Sequence, residues 1–205
     1  MFDAKNKDKI CVMDWGDWPI LPMALHAGID PYLGAGQAAL KEVRMVLRAM
    51  FKNTRTLVAD LTQAQKGAAG RLAAGLHRCG PSDLGGAQAG HKNIMATVPD
   101  PKNGLKQGII WVEATAILKE TDQPELAQKL IKHVVSRDPG TFCRCSTPPA
   151  TSSPIRRSRA STDEEKSILQ VDYMWHAYEN SQMHRIAPNI DEMLAIWSEE
   201  LASAQ

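Results

Sequence analysis

The chain lacks a strong excess of charge of either sign, a long apolar run and a recognisable export signal. It has 24 Lys+Arg against 23 Asp+Glu and a formal net charge of +1, which argues against a nucleic-acid-binding protein because such proteins usually carry a basic surface. Nowhere do about 18 apolar residues follow one another, so we expect no membrane-spanning helix. The opening residues, MFDAKNKDKICVMDW, carry dispersed charges, and we expect no signal peptide in the chain as written.

Cysteine is also scarce. The four residues are too few and too irregularly spaced for a disulfide scaffold or a structural zinc site, and we expect unpaired thiols: Cys11, Cys79, Cys143 and Cys145. The segment Gly34–Ala39, GAGQAA, fits a dinucleotide-binding pattern but follows a turn at Pro31 instead of a strand. We therefore expect neither a metal nor a cofactor.

The composition is that of a folded protein with a core, since 43% of the residues are hydrophobic and 23% are charged. Apolar patterns predict strands at 9–14, 54–59, 94–98 and 108–118. They predict helices at 22–27, 37–51 and 122–136, a further helix opened by the capping box TDEE at Thr162, and a last helix introduced by Pro188. Strands alternating with helices indicate an α/β fold with a mixed sheet covered by helices.

Two segments differ in composition from the rest. Residues 63–92 are rich in Ala and Gly, and residues 141–161 are rich in Ser, Thr, Pro and Arg. Both lack the apolar side chains that offset the entropy cost of ordering the backbone, so we interpret them as loops. The predicted organisation is an α/β lobe over 1–140, a loop over 141–161 and C-terminal helices over 162–205.

The clearest candidate site directly follows the first predicted strand. Asp14 and Asp17 alternate with Trp15 and Trp18 there, and ligands of α/β sheets bind beyond the carboxyl ends of strands. A carboxylate about 4 Å from an ammonium group attracts it by about 4 kcal/mol at an effective dielectric near 20. An indole face adds about 0.5–2 kcal/mol. These residues suit an organic cation, although they would also suit a helix N-terminus with acidic caps and core tryptophans.

A second acid and aromatic pair lies inside the predicted strand GIIWVEATAIL. Trp111 and Glu113 project from the same face of a strand, and a carboxylate in so apolar a run needs a partner. That partner could be a ligand cation or an internal Lys or Arg. A third group, with His176, Glu179 and His184 around the penultimate helix, lacks a metal-ligand spacing, and we expect these to be polar residues at the surface.

The order of these segments resembles a known family. KICVMDWGDW, ALHAGIDPY, IMATVPD, GIIWVEATAIL and TDQPELAQKLIKHVV are similar to the C-terminal half to two thirds of bacterial periplasmic solute-binding proteins of ABC transporters, in their spermidine/putrescine-binding branch. The resemblance covers residues 2–63 and 93–140, and 162–205 more loosely. It implies one lobe of a two-lobe α/β binding protein, with most of the first lobe and the export signal absent from this chain.

The resemblance also implies a ligand, partners and site residues. The ligand is a polyamine, bound by a monomer that delivers it to a membrane permease in the periplasm. The family's ligand-binding positions fall on Asp14, Asp17, Trp111, Glu113 and Gln182. Where the family has aromatic ligand contacts, residues 63–92 and 143–161 contain no Phe, Trp or Tyr, which suggests a disturbed reading frame.

Three functions follow as hypotheses of decreasing strength. The first is a polyamine-binding component of a transporter, which is not an enzyme. The second is a truncated or frame-disrupted fragment with no ligand. The third is a hydrolase that uses the carboxylates of Asp14 and Asp17, since glycoside hydrolysis needs two carboxyl groups about 5 to 9.5 Å apart.

Overall fold

The fold is known from a computed structural model of the chain. It describes residues 1–16, 18–59, 63, 73–74, 102–110, 114–134, 163, 167 and 170–204. Within these residues it has five α-helices and five strands in two parallel sheets, which confirms a mixed α/β structure.

A short buried strand lies at the centre of the larger sheet. All four residues of β1 (Ile10–Met13) are buried, as expected for a parallel strand that is covered on both faces. The strand β2 (Thr54–Val58) pairs with β1 on one side and β3 (Ala73–Ala74) pairs with it on the other, both in parallel. The predicted strands at 9–14 and 54–59 are confirmed, whereas β3 lies in a segment that we predicted to be a loop.

Three helices pack with this sheet around one core: α1 (Ile20–Ala27), α2 (Gln37–Phe51) and the last helix, α5 (Ile190–Ala204). The core combines residues of β1 with the apolar stripes of all three helices, including Val12, Met23, Leu47, Met193 and Trp197. The stripe predicted on α2 is confirmed, since Leu40, Val43, Leu47 and Met50 are all buried.

The second sheet has only two short strands within the described residues. The strand β4 (Ile109–Ile110) pairs in parallel with β5 (Gln182–Met183), so that Ile109 lies opposite Gln182. The helices α3 (Pro124–Val134) and α4 (Val171–Glu179) lie between them in the chain.

This second sheet corrects two predictions. The predicted strand at 108–118 was expected in one sheet with β1, but the strand residues described within it, Ile109–Ile110, form β4, which belongs to the separate sheet. Residues 114–118 are in no strand, and Leu118 is 81% exposed. An apolar run forms a strand only where a neighbouring strand accepts its hydrogen bonds, which composition does not reveal. The predicted strand at 94–98 lies outside the described residues.

The helix predictions hold with small shifts. The first helix begins at Ile20, two residues earlier than predicted, because Pro22 then lies in the first turn, where the missing N–H is not needed. The predicted helix at 122–136 is described as α3, and the last helix begins at Ile190. Thr162 lies outside the described residues. No helix in the described part of the chain has the length and hydropathy that crossing a membrane requires.

Candidate functional site

The segment after β1 places an exposed carboxylate beside an indole that the sheet holds in position. The N–H of Asp14 donates to the carbonyl oxygen of Val58 at 3.0 Å, which extends the pairing with β2 by one residue. The Asp14 side chain is exposed. The Nε1–H of Trp15 donates to the carbonyl oxygen of Ala59 at 2.7 Å. The carboxylate is therefore fixed at the carboxyl end of β1 and faces solvent.

A second indole connects this segment to the end of β5. The ring of Trp18 stacks on the imidazole of His184, with centroids 4.6 Å apart and planes 15° from parallel. Both side chains are half-buried. His184 directly follows β5, and its N–H donates to the carbonyl oxygen of Ile110 at 2.6 Å. The segment that follows β1 and the segment that follows β5 therefore meet at this stack, although the two strands belong to different sheets.

Further contacts hold residues 184–189, here called the connecting segment, against the region between β1 and α2. The guanidinium carbon of Arg185 lies 4.9 Å from the ring centroid of Tyr32, within the range of a cation–π interaction. The Oδ1 of Asn189 accepts a hydrogen bond from the N–H of Ala35 at 2.6 Å. Ala187 packs in a small core with Leu21 and Tyr32. The Trp18–His184 stack is thus one of several contacts along this segment.

Gln182 lies in β5, two residues before His184. Its N–H donates to the carbonyl oxygen of Gly108 at 3.0 Å. Its side-chain Nε2 is buried and has no hydrogen-bond partner among the described residues, which is unusual because buried donors are generally satisfied. Gln182 is therefore a polar side chain with unused donor capacity near the end of its strand.

The predicted site is described only in part. Asp14 and Gln182 are placed at the ends of β1 and β5, and the stack of Trp18 on His184 brings these two chain segments together. Asp17, Trp111 and Glu113 lie outside the described residues. In sequence, Trp111 directly follows β4, the neighbour of β5.

Sequence analysis did not find the contact that His184 makes with Trp18. We interpreted it, with His176 and Glu179, as a polar surface residue around the penultimate helix, but α4 ends at Glu179 and His184 is half-buried. His176 stays on that helix, where its carbonyl oxygen accepts a hydrogen bond from the Asn180 side chain at 2.9 Å. A strand as short as β5 has no periodic pattern, so the sequence held no signal that separates His184 from the helix.

Metal binding has no support within the described ranges. No group of three or more His, Cys, Asp or Glu side chains in them could hold a metal ion. The chemistry that this part of the site offers is therefore that of an exposed carboxylate, stacked aromatic rings and a buried amide.

Comparisons with protein-family models, with curated proteins and with solved structures find no match for this chain.

Proposed function

We propose that the protein is the substrate-binding component of an ABC transporter and that it binds a polyamine. The observation that carries the proposal is the stack of Trp18 on His184, because it joins the segment that follows β1, which contains Asp14, to the segment that follows β5. Ligands of α/β sheets bind outside the carboxyl ends of parallel strands. The resemblance of the sequence to spermidine/putrescine-binding proteins assigns Asp14 and Gln182, which lie in these two regions of the chain, to ligand binding.

The residue types favour a cation over other small molecules. Asp14 offers a negative charge to solvent, and Trp18 offers an aromatic ring four residues further on. A carboxylate attracts an ammonium group, and an indole contributes about 0.5–2 kcal/mol through its negative face. Because a polyamine has charged amines separated by methylene groups, it matches both kinds of side chain at once.

The remaining predicted residues extend the same argument. Asp17 lies between Asp14 and Trp18, and Glu113 follows β4 by three residues. Several carboxylates close together repel one another unless a cation neutralises them. A ligand with two or three amines neutralises several at once, whereas an anionic ligand would be repelled. In this role the protein works in the periplasm and passes the polyamine to a membrane permease.

The experiment compares two carboxylates at opposite ends of the same strand. Asp8 lies just before β1 and Asp14 just after it, and the four-residue strand alone separates them by roughly 13 Å. Both are exposed, so that Asp8→Asn and Asp14→Asn remove the same charge. Asparagine also tolerates the left-handed backbone at Asp8, where φ is 58°.

Binding of putrescine to the 205-residue chain is measured by calorimetry. We expect Asp14→Asn to weaken binding roughly twofold to fivefold, since an exposed ion pair contributes up to about 1 kcal/mol. We expect Asp8→Asn to leave binding unchanged, because salt screens charges beyond about 8 Å. Equal effects of the two substitutions would place the site elsewhere, and the absence of putrescine binding would reject the proposed function.

A further inference from the structure

His184 contacts an aromatic ring where the segments that follow β1 and β5 meet. Its imidazole lies nearly parallel to the Trp18 indole, with 4.6 Å between centroids. Its own backbone is fixed, because its N–H donates to the carbonyl oxygen of Ile110 and because it directly follows the paired residues Gln182 and Met183. A ring on a fixed backbone is well suited to hold another ring in one orientation.

We propose that His184 is a positioning residue, which fixes the plane of the Trp18 indole for cation binding. The inference rests on the proposed function, because it assigns a role in the same site. It goes beyond that function by naming a residue that neither the resemblance nor the sequence pattern placed there.

The physical reason is preorganisation. A cation gains attraction from an indole only when it lies over the ring face, within about 6 Å of the centroid. If the indole must be ordered when the ligand binds, the loss of side-chain freedom costs about 0.5–1.5 kcal/mol of binding free energy. Stacking on His184 orders the ring before the ligand arrives, so this cost does not reduce the affinity.

A merely structural role for His184 is the competing explanation, since the connecting segment also holds the fold together. Arg185 provides the matched control. It lies next to His184 and makes the corresponding contact, 4.9 Å from its guanidinium carbon to the ring centroid of Tyr32. Loss of that contact weakens the attachment of the same segment but leaves the His184 imidazole stacked on the Trp18 indole.

The test uses three variants of the full chain: His184→Leu removes the ring, His184→Phe keeps an aromatic ring, and Arg185→Met removes the neighbouring contact. Putrescine affinity is measured by calorimetry and the free energy of unfolding by urea titration. We expect His184→Leu to weaken putrescine binding about twofold to tenfold and His184→Phe to restore it to within about twofold of the wild type. Arg185→Met should lower the free energy of unfolding while it leaves the affinity unchanged.

Two results would overturn the positioning role while the proposed function stands. One is equal putrescine affinity in the Leu and Phe variants, and the other is a loss of affinity in Arg185→Met as large as in His184→Leu. If His184→Leu does not fold, the wild-type protein supplies the test by NMR. The ring resonances of both Trp18 and His184 should shift as putrescine is added, and an unshifted His184 ring would contradict the role. A wild type that does not bind putrescine rejects both proposals.

Discussion

At the scale of single residues, Glu200 is a buried carboxylate that is paired with two arginines. Its side chain is 2% exposed, and it accepts hydrogen bonds from Arg48 through Nε at 2.7 Å and Nη2 at 2.8 Å. Arg44 donates to it as well, at 3.0 Å. The hydrogen bonds from Arg48 are the largest cause of a lowered Glu200 pKa, and those from Arg44 add to it. Because Glu200 lies on α5 and both arginines lie on α2, the charges fix these helices to each other.

Glu200→Gln should therefore destabilise the fold. Glutamine has nearly the same shape but carries no charge, so that it loses the charge-assisted part of the hydrogen bonds. We expect the free energy of unfolding to fall by about 1–2 kcal/mol, measured by urea titration at pH 7, because hydrogen bonds to charged groups contribute more than neutral ones. Glu199→Gln is the control. Glu199 also bonds Arg44, but its side chain is 59% exposed, so we expect a change below about 1 kcal/mol.

The same carboxylate predicts a pH dependence. A glutamate whose pKa is lower in the folded than in the unfolded state stabilises the fold in full above its unfolded pKa, which is about 4.3. That stability is lost as the pH falls through the lowered folded pKa. The difference in unfolding free energy between the wild type and Glu200→Gln should therefore shrink below about pH 4.3. A difference that stays constant or grows in acid would show that ionised Glu200 is not stabilising.

The residue scale also shows what the sequence could predict of the site. Asp14 was predicted at the end of a strand and is found there, because four apolar residues followed by an acid indicate a buried strand and its end. The contact between Trp18 and His184 joins residues 166 positions apart in the sequence. No local pattern encodes such a contact, because it depends on how distant segments of the chain come together in the fold.

At the scale of elements, the end of α1 depends on one glycine. Gly28 has φ +84°, and its N–H donates to the carbonyl oxygen of Leu25 at 2.9 Å. A Cβ at this position would overlap the side-chain amide of Asn103. Glycine therefore suits position 28 for two reasons: the backbone there is left-handed, and a larger residue would leave no space for Asn103. Gly104 has a similar φ of +70°, but a Cβ at that position would meet no atom of the described residues within 4 Å beyond its chain neighbours.

These two glycines form a matched pair. Gly104→Ala should cost about 1–2 kcal/mol, which is the backbone cost of the left-handed conformation. Gly28→Ala should cost more, because Asn103 must also move. In the double variant Gly28→Ala with Asn103→Ala, the overlapping side chain is gone, so the loss of unfolding free energy should be smaller than in Gly28→Ala alone. Thermal or urea unfolding measures all three, and equal costs for Gly28→Ala and Gly104→Ala would show that the contact with Asn103 contributes nothing.

The elements differ in how well their own sequence predicts them. The helix α2 was predicted with its bounds because its apolar residues recur at helical spacing over 15 residues. The strands β3, β4 and β5 have two residues each, which is too short for any periodicity. Residues 114–118 look like a strand by composition, yet they make no strand pairing. Strand formation depends on partners elsewhere in the chain, so local propensity alone does not determine it.

At the scale of the whole molecule, the connecting segment unites two sheets that share no strand. The larger sheet contains β1 and the smaller contains β5, and residues 184–189 run from β5 to α5 while contacting Trp18, Tyr32 and Ala35. The proposed cation site lies where this segment meets the residues that follow β1. In the proposed function, this junction selects a positively charged ligand.

Separate titrations with three four-carbon compounds test this selectivity. Putrescine, 1,4-butanediol and succinate have similar lengths but differ in charge. Putrescine carries two positive charges, butanediol none, and succinate two negative charges. Calorimetric titration of the 205-residue chain should show binding of putrescine and none of the other two, and putrescine binding should weaken as salt is raised. Binding of butanediol or succinate as tight as that of putrescine, or no heat with any of the three, would contradict the account.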